Sequence, residues 1–278
     1  MSYHLPTDLE ETLILRSKAP SQVVAGCTDY FPAKQQGQGG LDIVDISRVA
    51  QLSGIDHADG HWRIGATTRW SDIARADLPP CFDGLRAAAR EVGSIQIQNL
   101  GTIGGNLCNA SPAADAVPPL LTLEAGVELR SVRGVRELPL DQFVTGNRKT
   151  ALADDEVLTA VIIRNPPTDA GSAFQKLGAR RYLVISIVMT AALIRLDRNG
   201  RIDLARLAVG ACSATARRLP GLEQTLIGQS LADVNIDSSD LKDLSPIDDI
   251  RGTADYRLEA AAEQCMRAIR DAAGCARE

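Results

Sequence analysis

Aromatic residues make up only 4% of this 278-residue chain, so its core must rest on Ala, Leu, Ile and Val, which a hydrophobic content of 45% can supply. No apolar run approaches the roughly 20 residues that a membrane-spanning helix needs. There is no basic block either. The net charge is −5, which removes the electrostatic footprint of a nucleic-acid binder. The six cysteines contain no C-x-x-C pair, which argues against an iron–sulfur cluster or a structural zinc of the usual spacing. Of the three histidines, His57 and His61 stand four apart, but Asp59 and Gly60 between them favour a loop over a metal-binding helix face. The opening residues, MSYHLPTDLEE, carry acids where a secretory signal carries Lys or Arg, so a cytoplasmic chain without disulfides is expected. The length allows two modest domains or one large one.

What the chain does have is concentrated in residues 93–120, GSIQIQNLGTIGGNLCNASPAADAVPPL. Gly101, Gly104 and Gly105 can reach positive φ and let the backbone approach a ligand without a Cβ in the way. Ile103 lies between them, and the short polar side chains Thr102, Asn106, Asn109 and Ser111 surround them. Such a loop, rich in N–H groups and running into a helix, suits a diphosphate. Asp115, an acceptor only when ionised, suits the hydroxyls of a sugar or ribityl chain. The string is neither of the two common phosphate motifs. It lacks the Lys-Ser/Thr ending of a P-loop and the G-x-G-x-x-G spacing of a dinucleotide fold.

The same string resembles the flavin-binding segment of the FAD subunits of molybdenum hydroxylases, the xanthine dehydrogenase and carbon monoxide dehydrogenase flavoproteins. The shared words are Q-x-x-N-x-G-T-x-G-G-N, N-A-S-P and D-x-x-P, carried here by Gln96, Asn99, residues 101–106, residues 109–112, Asp115 and Pro118. In that family a first flavin segment of the form Ala-Gly-Gly, followed by a polar residue, precedes it. Here it reads Ala25, Gly26, Cys27, Thr28 and Asp29, with Cys27 in place of the second glycine, a steric cost wherever φ must be positive. A Lys-x-x-x-Arg element of the family matches Lys176 and Arg180. The acid that often follows it is replaced by Leu183, Val184 and Ile185.

Along the chain, Thr7 to Glu10 reads as a capping box opening a first helix, and QVVAG as a short strand. LDIVDI alternates as a half-exposed strand, HWRIGA is another strand, and Thr68 is placed to cap the next helix. Strands are expected over 127–132, 137–140 and 156–164, and Asn165-Pro166-Pro167 breaks secondary structure. Asn199-Gly200 predicts a type I′ hairpin. A helix is expected over 215–227, and a last one from Thr253, with Leu258, Ala262, Cys265, Ile269 and Ala272 on one apolar face and a stop at Gly274.

The resemblance implies an α+β fold. Residues 1–167 would form the two-part FAD-binding unit of the vanillyl-alcohol-oxidase (PCMH) type, and residues 168–278 a C-terminal α+β domain with a three-stranded antiparallel sheet. It implies non-covalent FAD, gripped by the two segments, with Asp115 on flavin-chain hydroxyls and Lys176 and Tyr182 near the isoalloxazine. It implies electron transfer between a partner's iron–sulfur clusters and NAD or another acceptor, with substrate hydroxylation carried by a molybdopterin subunit and no catalytic residue in this chain. A stand-alone flavin reductase on the same fold and a non-catalytic nucleotide-binding or assembly module are the alternatives.

Overall fold

The computed structural model describes residues 2–33, 40–181 and 183–275. Strand β1 (Tyr3–His4) leads to helix α1 (Leu9–Lys18). The carboxylate of Asp8 caps α1 by accepting from the Glu11 N–H at 2.8 Å, and Glu11 accepts in return from the Thr7 N–H. The reciprocal cap thus sits one residue later than the sequence suggested, with an anion at the positive end of the helix. Strand β2 (Ser21–Val24), the short helix α2 (Tyr30–Ala33) and strand β3 (Asp42–Asp45) follow. These strands form a parallel sheet in the order β1-β3-β2. The central position of β3 explains why Ile43, Val44 and Ile46 are all buried, where alternation had suggested a half-exposed strand.

A hairpin comes next, β4 (Ile55–Ala58) and β5 (His61–Gly65), turned by Asp59 and Gly60 at φ 51° and 74°. Two left-handed residues between paired strands are the type I′ geometry, so the predicted loop between the histidines is a tight turn. His57 stacks on Trp62 with ring centroids 4.4 Å apart, and among the described residues no group of metal-ligating side chains forms. Helices α3 (Trp70–Arg75), α4 (Asp83–Glu91), α5 (Ile95–Gln98), α6 (Ile103–Asn109) and α7 (Val117–Thr122) then run across the sheet. Thr68 does not cap α3. Its hydroxyl exchanges hydrogen bonds with the backbone of Gly54 instead, tying the helix entry to the turn before β4.

Strands β6 (Gly126–Ser131) and β7 (Gly134–Pro139), a helical turn α8 (Leu140–Phe143), a small hairpin β8 (Val144–Gly146) and β9 (Lys149–Thr150), and strand β10 (Val157–Arg164) complete this half. The five-stranded antiparallel sheet has the order β4-β5-β10-β6-β7. Its central strand β10 is buried on both faces from Val157 to Ile163. Trp70, Ile73, Phe82, Leu85, Ile103 and Leu107 of the helical layer pack on Val127, Leu129, Val161 and Ile163 of the sheet, which fixes the start of α6 against the core.

Beyond Pro167, β11 (Gly171–Leu177), β12 (Val188–Leu196) and β13 (Ile202–Gly210) form three long antiparallel strands, with a two-residue strand β14 (Arg217–Arg218) added at the edge. The turn before β13 is not type I′. Gly200 is left-handed at φ 75°, but Asn199 is not. The Asp197 carboxylate accepts from the N–H groups of Asn199 and Arg201, both at 2.8 Å, and this side-chain bridge selects a longer turn ending in the left-handed glycine. The helix expected from residue 215 is shortened to α9 (Pro220–Leu226), because β14 pairs with β13 and Pro220 can only open a helix. Helix α10 (Ala254–Cys275) lies across the second sheet, with Ala262, Cys265, Ile269 and Ala272 buried as its apolar face. It continues through Gly274, the predicted stop. Among the described residues no helix is long and apolar enough to cross a membrane.

Candidate cofactor site

Two loops meet at the wall of a cavity. The first, residues 25–29, leaves the end of β2. The second, residues 99–102, leads into α6. Their contact is backbone to backbone: a Cβ added to Gly26 would stand 2.0 Å from the Leu100 carbonyl oxygen. Gly104 is pressed in the same way onto Ala66, where an added Cβ would meet the carbonyl oxygen at 2.7 Å. Neither Gly26 nor Gly101, Gly104 or Gly105 adopts positive φ, so the expectation that these glycines supply left-handed backbone is corrected. Their task is close approach. The left-handed residue is Cys27, at φ 57°. A Cβ in that region costs about 1–2 kcal/mol. Cys27→Gly is therefore expected to raise the unfolding free energy by about 1 kcal/mol in urea titration, allowing for glycine's greater freedom in the unfolded chain. A loss of stability would show that the thiol packing outweighs the strain.

Between the loops lies a cavity of about 820 Å³, within the size range of ligand sites. The first loop contributes Ala25, Gly26, Cys27, Thr28 and Asp29 to its wall, and the second contributes Gly101 and Thr102. From α6 and its exit come Gly105, Asn106, Asn109 and Ser111. Ile103 and Gly104 do not line it. Both are buried on the core-facing side of α6, holding the helix to the core. Tyr182 lies outside the described residues.

The backbone donors of the two loops are used differently. The N–H of Ile103 goes to the Thr68 carbonyl, that of Gly104 to Ala66, and that of Gly105 to the Thr102 hydroxyl at 3.1 Å. The start of α6 is therefore already satisfied. In the first loop, the N–H groups of Gly26, Cys27, Thr28 and Asp29 have no hydrogen-bond partner among the described residues. Successive free N–H groups around a left-handed residue are the donor pattern of an anion-binding concavity; this loop offers that pattern, and the second loop packs against it backbone to backbone. The Asn106 side-chain oxygen is buried in the wall without a partner among the described residues. Burial pushes the Cys27 thiol up, with the Asp45 carboxylate adding to the shift, which keeps it a protonated, weak nucleophile. Free N–H donors, a glycine that must remain glycine and polar wall residues together fit a flavin dinucleotide.

Asp115 and Lys176 do not line the cavity; they pair with each other. Lys176 Nζ donates to Asp115 Oδ2 at 2.9 Å and to the Glu91 carbonyl at 3.0 Å, and Ser186 donates to Asp115 Oδ1 at 3.3 Å. Both side chains are about nine-tenths buried or more, at 7% and 10% exposure. Burial pushes the Asp115 carboxyl upward, opposed by the Lys176 ammonium and by the hydrogen bonds from Lys176 and Ser186. The pair joins β11 to the entry of α7, directly behind the wall residue Ala114.

Other wall residues were not foreseen. Leu183, Val184 and Ile185 reach the cavity from the connection between β11 and β12, with Leu183 and Ile185 more than half exposed. The Leu183 N–H donates to the Gly93 carbonyl at 3.2 Å, and both residues are left-handed. The departure from the family's acid marked this tripeptide but said nothing of its position. Arg148, in the turn between β8 and β9, also lines the cavity, and nothing local to NRK announces it.

Comparisons with known proteins identify the family and the fold. Residues 1–166 match the family described as FAD binding domain in molybdopterin dehydrogenase, and residues 172–272 match the CO dehydrogenase flavoprotein C-terminal domain. The chain belongs to the family of FAD-binding subunits of xanthine dehydrogenase and carbon monoxide dehydrogenase type. It is 34% identical to the xanthine dehydrogenase FAD-binding subunit of Escherichia coli O157:H7, over 99% of this chain and 97% of that one. It is 35% identical to the nicotinate dehydrogenase FAD-subunit of Eubacterium barkeri, over 82% and 80%. Among solved structures, carbon monoxide dehydrogenase from Hydrogenophaga pseudoflava superposes with a TM-score of 0.89 at 25% identity, covering 99% of this chain and 98% of that one. Quinoline 2-oxidoreductase from Pseudomonas putida 86 gives 0.88 at 27% identity, over 100% and 98%.

Proposed function

We propose that this chain is the FAD-carrying electron-transfer subunit of a multi-subunit, molybdenum-dependent hydroxylase or dehydrogenase. It passes electrons between the iron–sulfur clusters of one partner and NAD or another acceptor, while a molybdopterin subunit chooses and hydroxylates the substrate. The observation that carries the reading is the row of unpaired N–H groups on the first loop, whose residues line one cavity with Gly101, Thr102, Gly105 and Asn106. When bound, FAD supplies hydride and one-electron chemistry. The chain's own residues grip and orient. The N–H groups of residues 26–29 would hold the diphosphate, Thr102, Gly105, Asn106 and Ser111 would offer polar wall to the rest of the chain, and Leu183 to Ile185 would supply the apolar surface that keeps water from the flavin. The Asp115–Lys176 pair stands behind Ala114 and ties β11 to the entry of α7. We place the division between the FAD-binding and C-terminal domains at residues 165–167, between the two sheets.

The test is the colour of the purified chain. It is expected to be yellow, to release all its flavin into the supernatant on acid precipitation, and to oxidise NADH slowly with an artificial acceptor. Purines, aldehydes and N-heterocycles should stay unchanged until partner chains are added. Yellow colour left in the pellet would refute non-covalent binding, and hydroxylation by the single chain would refute the division of labour.

A further inference from the structure

Among the described residues that line the cavity, Asp29 is the one carboxylate and Arg148 the one cation. Their placement is linked. Arg148 Nη1 donates to the side-chain oxygen of Asn109, and the Asn109 amide nitrogen donates to Asp29 Oδ2 at 3.1 Å. A guanidinium, an amide and a carboxylate thus bridge from the β8–β9 turn to the first loop, the loop whose N–H groups are free. Only one of the five guanidinium donors is used, and among the described residues no carboxylate pairs with Arg148.

The backbone beneath it is also held. Arg148 is left-handed at φ 58°, and its N–H donates at 2.8 Å to the carbonyl of Ala110, itself left-handed at φ 46° as the C-cap of α6. Such positions are sterically costly for side chains other than glycine and persist where the surroundings enforce them. The contact anchors the Arg148 side chain over the end of α6 that points its carbonyls outward, the end least suited to an anion.

We infer that Arg148 is the residue that neutralises the phosphate half of the bound dinucleotide, an assignment that rests on the flavin reading above. A diphosphate brought to the first loop meets the Asp29 carboxylate and the carbonyl end of α6, both repulsive. The N–H groups of residues 26–29 carry only partial charge. A full positive charge with four spare donors, two hydrogen bonds from Asp29, offsets that repulsion and can grip phosphate oxygens in a fork. Asn109 orients the guanidinium and spaces it from Asp29, which leaves its charge available to the ligand. Arg148 therefore sets the preference of the site for a phosphorylated ligand over the bare flavin ring.

The experiment uses the flavin-free full chain, titrated with FAD, ADP and riboflavin at low and moderate salt. Arg148→Gln keeps a donor for Asn109 but removes the charge. It is expected to weaken FAD and ADP binding about ten- to a hundredfold, to flatten their salt dependence, and to leave riboflavin affinity and the melting temperature of the flavin-free chain unchanged. Arg148→Lys, which keeps the charge but not the fork, should recover part of the loss. Equal FAD affinity in parent and Arg148→Gln overturns the assignment. So does an equal fall for FAD and riboflavin, which would mean a role in shaping the ring end or the loop. A parent chain that binds neither FAD nor ADP overturns the flavin reading, and this assignment with it.

Discussion

Gly26→Ala should strip the protein of its flavin. The added Cβ falls 2.0 Å from the Leu100 carbonyl oxygen, 2.7 Å from its carbon and 2.9 Å from the Gly101 Cα. All three are backbone atoms of the second loop, so no side chain can rotate aside. The loops must part by about 1 Å, since a Cβ at 2.0 Å from a backbone oxygen cannot be accommodated, and the wall that both loops form is lost with their contact. The overpacking itself should lower stability by about 1–3 kcal/mol. The ratio of flavin absorbance to protein after gel filtration, together with the melting temperature, reads both effects. Gly221→Ala is the control. Its Cβ would meet nothing within 4 Å, inside a helix where alanine is favoured over glycine, and the protein should stay yellow. A Gly26→Ala protein that elutes as yellow as its parent would remove the loop contact from the site.

The second large effect belongs to the buried ion pair. Lys176→Met leaves the Asp115 carboxyl at 10% side-chain exposure with only Ser186 to answer it. Removing one partner of a buried pair typically costs about 3–5 kcal/mol, because the other charge is stranded. The loss should depend on pH, and its sign follows from the carboxyl. Burial already holds Asp115 above its ordinary value of 3.8, against the opposing influence of Lys176. Without Lys176 the upward push is less opposed. The native state then holds a proton that the unfolded chain releases, so stability is fully present below the unfolded value and is lost as pH rises through the raised native one. The difference between parent and variant in urea unfolding should therefore be larger at about pH 8 than at about pH 5. Asp115→Asn combined with Lys176→Met should lose less than the two single changes added together. A difference that does not change with pH would mean that Asp115 is not the stranded group. Neither partner lines the cavity, so the loss should be visible with or without cofactor.

Legibility in the sequence followed the range of the interactions concerned. The Gln96 to Pro118 string, the apolar face of α10 and the hairpin into β13 were readable because each rests on neighbours a few residues apart. Even there, local rules fixed the existence of an element better than its detail. Asp197 turned a two-residue hairpin into a longer one with a single carboxylate. In α1, the cap moved by one residue.

Other features were decided only by packing. No neighbour of Gly26 or Gly104 in the sequence reveals that backbone 74 or 38 positions away, at Leu100 and Ala66, leaves no room for a Cβ. Asp115 and Lys176 are 61 positions apart and Asp29 and Asn109 are 80 apart, so their partners were set by how the two sheets and α6 come together. The sequence by itself determined the family and, through it, the kind of cofactor, because the Gln96 to Pro118 string is a pattern of neighbouring residues. The tertiary structure alone decided which loop keeps its N–H groups free, which cation shares its cavity and which carboxylate is buried, because each depends on surfaces that meet only after the chain has folded.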